Sequence, residues 1–187
     1  MPIESWKIDE FVVGRLRAML GSRFNVRPVV YQKAPFVLPR MSSIYDFCQG
    51  CRAVGDIVRD QMSKQSLDAY VVVLTASHPI ESTKLMTNGL GVIEFPGGVF
   101  DPSYLAHANY SISLVDGHRF ASRTTTIASP SVELPTDMPA NYPARRVDKA
   151  LWPSSSDAAQ NAKLISVIKD IIDKTLLSGL LNLQLAE

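Results

Sequence analysis

Apolar positions along the chain recur with two periods, and the places where the period changes predict the elements. Phe11, Val12, Leu16, Met19 and Leu20 fall three or four residues apart, with Asp9 and Glu10 at the start and Gly21 directly after, which predicts an amphipathic helix over 9–20 with a glycine stop. Phe24, Val26, Val29, Val30 and Tyr31 then form a β-rich run. Pro28 inside it cannot donate to a ladder, so the reading is an edge strand or a broken one. Ser43 and Asp46 match a capping pattern at the mouth of a second helix running to about Lys64. Its stripe is Ile44, Phe47, Cys48, Cys51, Val54, Val58 and Met62.

Tyr70 to Leu74 is a continuous β-branched run of the kind covered on both faces, and reads as the central strand. A short strand is expected at Gly91 to Phe95. Residues 109–127 read as a β-hairpin, because Tyr110, Ile112 and Leu114 alternate with serines, Asp116-Gly117 signals the turn and a threonine-rich run follows. Five of the twelve prolines lie between Pro130 and Pro153, so 128–156 reads as an extended surface connection. Leu164, Val167, Ile168, Ile171, Ile172 and Thr175 predict a third helix ending at Ser178-Gly179. Beyond it Leu181, Leu183 and Leu185 alternate with Asn182 and Gln184, as in a short strand.

This order predicts one domain of α/β class, with α+β the variant: a single layer of mixed sheet with a late hairpin, packed by three helices. A strand before residue 9 would complete a βαβ unit, yet only Pro2 to Lys7 precede the first helix. The length of 187 residues and an apolar content of 46% suit an ordinary globular core. Nineteen Lys and Arg against eighteen Asp and Glu leave a net charge of +1, so no global field draws nucleic acid or an anionic membrane. No apolar stretch reaches the roughly 18 residues of a spanning helix, and the first twenty residues lack a signal-peptide core. The expected location is therefore soluble, or periplasmic and envelope-associated if a leader precedes Met1.

Candidate chemistry is sparse. Cys48 and Cys51 form a C-x-x-C pair, but they lie beyond the first helical turn, where a thiolate would be stabilised, and on the apolar stripe, which favours packing over redox work. Zinc is disfavoured because no second cysteine pair or H-x3-5-H follows. Ser77, His78 and Glu81 follow the Tyr70 strand at the edge where open sheets place ligands. They make the enzyme alternative, a small hydrolase or ligand-binding site with Glu81 or Asp101 orienting the imidazole. Ser77 and His78 are neighbours whose side chains diverge, however, and no G-x-S-x-G elbow is present. His118 is explained by the Asp116-Gly117 turn, and His107, read as lying just before a strand, lacks a nameable partner. Gly89, Gly91, Gly97 and Gly98 complete no phosphate-binding fingerprint. Arg145, Arg146 and Lys149, with Asp148 among them, read as a solvated face. No cofactor or metal is expected.

The Leu16 to Val26 helix, glycine and Arg-Phe-Asn-Val strand, the Asp68 to Leu74 strand and the Tyr110 to Ile127 hairpin together resemble, in architecture, a group of bacterial envelope α/β domains. That group includes the curli-secretion lipoprotein and the amino-terminal domain of the Tol translocation protein. The resemblance implies assembly or protein contacts and no catalytic residues. The expected function is a non-enzymatic interaction domain, with protein partners, self-association foremost, through Leu176, Leu180, Leu181, Leu183 and Leu185.

Overall fold

The computed structural model describes residues 6–36, 53–79, 86–95, 103–128, 143–151 and 161–186. Three helices, α1 (Ile8–Leu20), α2 (Val54–Met62) and α3 (Ala162–Asn182), surround eight strands. These are β1 (Ala69–Thr75), β2 (Ser77–Pro79), β3 (Met86–Asn88), β4 (Leu90–Phe95), β5 (Ser103–Ala108), β6 (Tyr110–Asp116), β7 (Ser122–Ile127) and β8 (Ala144–Val147). The expected α/β mixture is present. Among the described residues every ladder is antiparallel, in three small sheets ordered β1-β6-β7, β2-β3 and β4-β5-β8. A parallel pair needs a crossover connection, usually helical, and only strands are described between β1 and β8.

The sheets meet at one point. Ala76 separates β1 from β2, Gly89 separates β3 from β4, and Asn109 separates β5 from β6. Each two-strand run thus changes partner at a single residue: β1 pairs with β6, β2 with β3, and β4 with β5. The three interrupting residues close a ring of backbone bonds. The Ala76 amide donates to Asn109 O (3.0 Å), the Asn109 amide to Gly89 O (2.9 Å) and the Gly89 amide to Ala76 O (2.9 Å). No amide or carbonyl is orphaned where the ladders end, as a buried backbone requires. Gly89 has φ +58°, and a Cβ there would stand 3.2 Å from the Thr75 methyl, so glycine fits both the conformation and the space. Asn109 is fully buried, and its Nδ2 donates to Thr87 Oγ1 (2.7 Å), which in turn donates to the His78 carbonyl (3.1 Å).

Sheet β1-β6-β7 has a core on each face. Val71, Val73, Tyr110, Ile112 and Leu114 point to a large cluster with α1 and α3, whereas Tyr70, Val72, Leu74 and Val115 point to a smaller one with α2. A continuous apolar strand is what two such faces demand. The centre of this sheet is nevertheless β6, with β1 beside it.

Four further expectations change. Residues 25–32 are irregular rather than a strand: among the described residues no strand ladders with them, Val30 O accepts from Gln65 Nε2 and Tyr31 packs edge-on against Phe36. Part of the expected surface connection is β8, laddered to β5 through Arg145 and Arg146, with Ala144 buried. Alternating two-sidedness was hidden there by adjacent arginines. His107 lies within strand β5 rather than ahead of one.

The third helix also passes through Gly179 to Asn182. A Cβ on Gly179 would come within 2.4 Å of Ile112 Cδ1, so glycine marks close approach of helix to sheet rather than a stop. The end comes at Gln184, whose φ is +60°. Its amide donates to Leu181 O (2.9 Å) and the Leu185 amide to Leu180 O (2.9 Å), the Schellman pattern, with Leu180 and Leu185 both buried beneath it. The alternating leucines follow from this turn and not from a strand. At the other end Asn161 accepts the Leu164 amide through its side chain (3.0 Å). The capping residues expected for the second helix, Ser43 and Asp46, lie outside the described residues.

Two glycines in helices separate propensity from packing. Nothing lies within 4 Å of a Cβ on Gly14, whereas one on Gly55 would come within 2.0 Å of the Phe120 carbonyl oxygen. Gly14→Ala is expected to stabilise the protein by roughly 0.5–1 kcal/mol. Gly55→Ala is expected to destabilise it by about 1–3 kcal/mol despite the same gain in helix propensity. Urea unfolding of the two variants checks both signs.

Candidate interaction surface

The groups with chemical potential are placed apart. Ser77 and His78 are successive residues of β2, so their side chains leave opposite faces of the ladder. Ser77 Oγ donates to Asn88 Oδ1 (2.5 Å), and the His78 carbonyl is the acceptor for Thr87. Glu81 and Asp101, the acids expected to complete that site, lie outside the described residues, as do Cys48 and Cys51.

His118 is a turn residue. Asp116 Oδ1 accepts the amides of His118 (2.8 Å) and Arg119 (2.6 Å), and these amide bonds hold the Asp116 carboxyl below its ordinary value. The hairpin loop is wider than a two-residue turn, because the Asp116 amide bonds Ala121 O and the Phe120 amide bonds Asp116 O. Phe120, not Gly117, takes the positive φ, of 57°. Gly117 is required by proximity instead: a Cβ there would collide with Leu67 O at 1.6 Å.

His107 is a strongly perturbed imidazole. It stands on β5 opposite Gly91 of β4, with its ring against the space that a Gly91 side chain would fill. It is 4% exposed and its Nδ1 has no hydrogen-bond partner. Burial pushes its pKa from 6.5 down to about 4, against a smaller opposing effect from a hydrogen bond to the Gly89 backbone. A neutral histidine enclosed by a strand pair is packing material. The sequence signal for it was weak: Ala106 and Ala108 on either side are small enough to carry a strand into a crowded core.

Arg145, Arg146 and Lys149 do not make one patch. Arg145 pairs with Asp170 of α3, which also accepts Lys174 Nζ (3.0 Å). Among the described residues no group of three or more His, Cys, Asp or Glu is placed to hold a metal ion, and no helix is long and apolar enough to cross a membrane.

The tail leucines divide. Leu176, Leu180, Leu183 and Leu185 are buried in the large core with Ile112, Ile168 and Ile172, whereas Leu181 is 43% exposed. Leu177, one helical turn earlier and absent from the expected set, is 42% exposed. Both lie on the outer stripe of α3, which begins with Ser166, Asp170 and Lys174 and turns apolar over its last two turns. Among the described residues Phe24, Val30 and Tyr31 are the other large exposed apolar side chains, all in the segment after α1.

No protein-family model, curated protein or solved structure matches this chain.

The His107 burial sets a sign for pH dependence. Because the folded pKa, about 4, lies below the ordinary 6.5, the unfolded chain binds a proton that the folded one refuses between those values. The associated stability is full above pH 6.5 and is lost as pH falls toward 4, on the order of 3 kcal/mol in all. Urea midpoints at a series of pH values are expected to fall through this window, with the slope flattened in His107→Leu. A slope equal to wild type in that variant would contradict the assignment.

Proposed function

We propose that the protein is a non-enzymatic interaction and assembly domain that associates with a second copy through the outer face of α3. The observation that supports this most directly is the pair Leu177 and Leu181. They are exposed one turn apart, at the end of a helical stripe that is otherwise polar or charged. Burying two such side chains is favourable by about 1.5–3 kcal/mol each when complete, and a two-fold pairing of the face would use each twice. The resemblance to envelope assembly domains drawn from the sequence is in keeping with this reading and would add an envelope location to the proposal. The separation of Ser77 from His78 across a ladder gives the hydrolase alternative less support.

Truncation before Leu180 would strip three core side chains, so point changes are the cleaner test. Light scattering is expected to give the wild-type chain a mass above 20.6 kDa that rises with concentration. Leu177→Glu combined with Leu181→Glu should return it to the monomer with an unchanged circular dichroism spectrum. A wild-type chain that stays monomeric at high micromolar concentration defeats the proposal.

A further inference from the structure

Asn88 is the only one of the chain's six asparagines that is followed by glycine. A glycine amide nitrogen has no adjacent side chain to shield it, so it can attack the carboxamide of the preceding asparagine and close a five-membered succinimide ring. Here the pair sits at the three-way strand junction. Asn88 ends β3, and Gly89 is the residue that interrupts the run between β3 and β4.

The fold holds both reacting groups in check. The Gly89 amide donates to Ala76 O (2.9 Å), and Gly89 is buried, which keeps away both the base that must take the amide proton and the water that must open the ring. Asn88 is laddered opposite Ser77, whose Oγ donates to Asn88 Oδ1 (2.5 Å) and restrains the carboxamide. The preceding residue, Thr87, accepts Asn109 Nδ2 (2.7 Å) and so fastens the end of β3 to the junction. Attack requires the bond from Gly89 to Ala76 to open first. The rate of the reaction in the folded chain is then a measure of how often the junction opens.

We propose that Asn88 is a self-modification site gated by the strand junction, and that its conversion to isoaspartate locks the junction open. Base takes the Gly89 amide proton, and the nitrogen forms a bond to Asn88 Cγ. The bond from Cγ to Nδ2 breaks, and Nδ2 leaves as ammonia with a proton from water. Nothing is oxidised or reduced. Water then adds to one of the two ring carbonyls. Opening at Cγ gives aspartate and restores the main chain; opening at the main-chain carbonyl gives isoaspartate, whose backbone is one carbon longer.

That carbon matters because Gly89 is a single-residue connection. Asn88 is registered against Ser77 on one side and Leu90 against Ala108 on the other, while Gly89 itself donates to Ala76 and accepts from Asn109. A longer backbone breaks either a register or a bond of the ring, and leaves buried amides and carbonyls unpaired. Aspartate keeps the backbone and still accepts from Ser77 Oγ. The site works within one chain and stands independently of self-association.

The test is incubation of the full chain at mildly alkaline pH, folded and in urea. Peptide mapping by mass spectrometry follows the loss of ammonia, and chromatography separates aspartate from isoaspartate at position 88. In urea Asn88 is expected to convert faster than the other five asparagines. In the folded chain it should convert at least roughly a hundredfold more slowly, each factor of ten corresponding to about 1.4 kcal/mol of opening free energy. Ser77→Ala removes one bond to the carboxamide, and Thr87→Val removes the acceptor of Asn109. Each should raise the folded-state rate at least roughly threefold and leave the rate in urea unchanged. Chains isolated with isoaspartate at 88 should lose hydrogen-exchange protection at the Ala76, Gly89 and Asn109 amides, whereas Asn88→Asp should retain it. Equal rates in the folded and urea-unfolded chain, a folded-state rate unchanged in both variants, full protection in the isoaspartate form or its loss in Asn88→Asp would each overturn the proposal.

Discussion

Everything in the strand layer depends on a ring of three backbone hydrogen bonds joining Ala76, Gly89 and Asn109. A ladder that ends inside a protein leaves its amides and carbonyls without water, and each orphan costs on the order of 1–3 kcal/mol. Here three ladders end at the same place, and each supplies what the next lacks. The arrangement constrains residue type locally. Gly89 is held at a positive φ against Thr75, and Asn109 has no exposure and must find its side-chain bonds inside, which it does through Thr87.

From that junction the strands diverge far enough to build two cores. The larger has α3 laid across β5, β7 and β8 with α1 behind it, and the closeness of that helix is set by Gly179 against Ile112. Tyr110 of β6 reaches Thr175 of α3 in a buried hydroxyl pair at 2.7 Å. The smaller core is α2 under the other face of β1 and β6, closed by Gly55 against the Phe120 carbonyl and by the Tyr70 hydroxyl donating to Met62 O (2.8 Å). Ion pairs decorate these contacts without defining them: Arg15 with Asp173 and Arg145 with Asp170 are partly exposed, where such pairs contribute about 0–1 kcal/mol.

The same packing separates working surface from structural side chain. Four of the five tail leucines are consumed by the core, and the imidazole of His107 is buried against Gly91 on the β4-β5 ladder. Leu177 and Leu181, on the outer stripe of α3, stay outside that core.

Local pattern alone determined α1, the core stripe of α3, the Tyr70 strand and the Tyr110–Ile127 hairpin, because in each the spacing of apolar side chains and the turn residues agree over several positions. It could not determine strands as short as β2, β3 and β8, which are too brief for a period to declare itself and exist because a neighbour offers a ladder. Nor could it separate a glycine that ends a helix from one that admits a neighbour: Gly179 is decided by Ile112, sixty-seven positions away in sequence. The candidate surfaces divide in the same way. Which leucine is core and which is exposed depends on how α3 crosses the sheet. Hydrophobic periodicity is a property of neighbours along the chain, whereas burial and charge convergence are properties of segments brought together by folding.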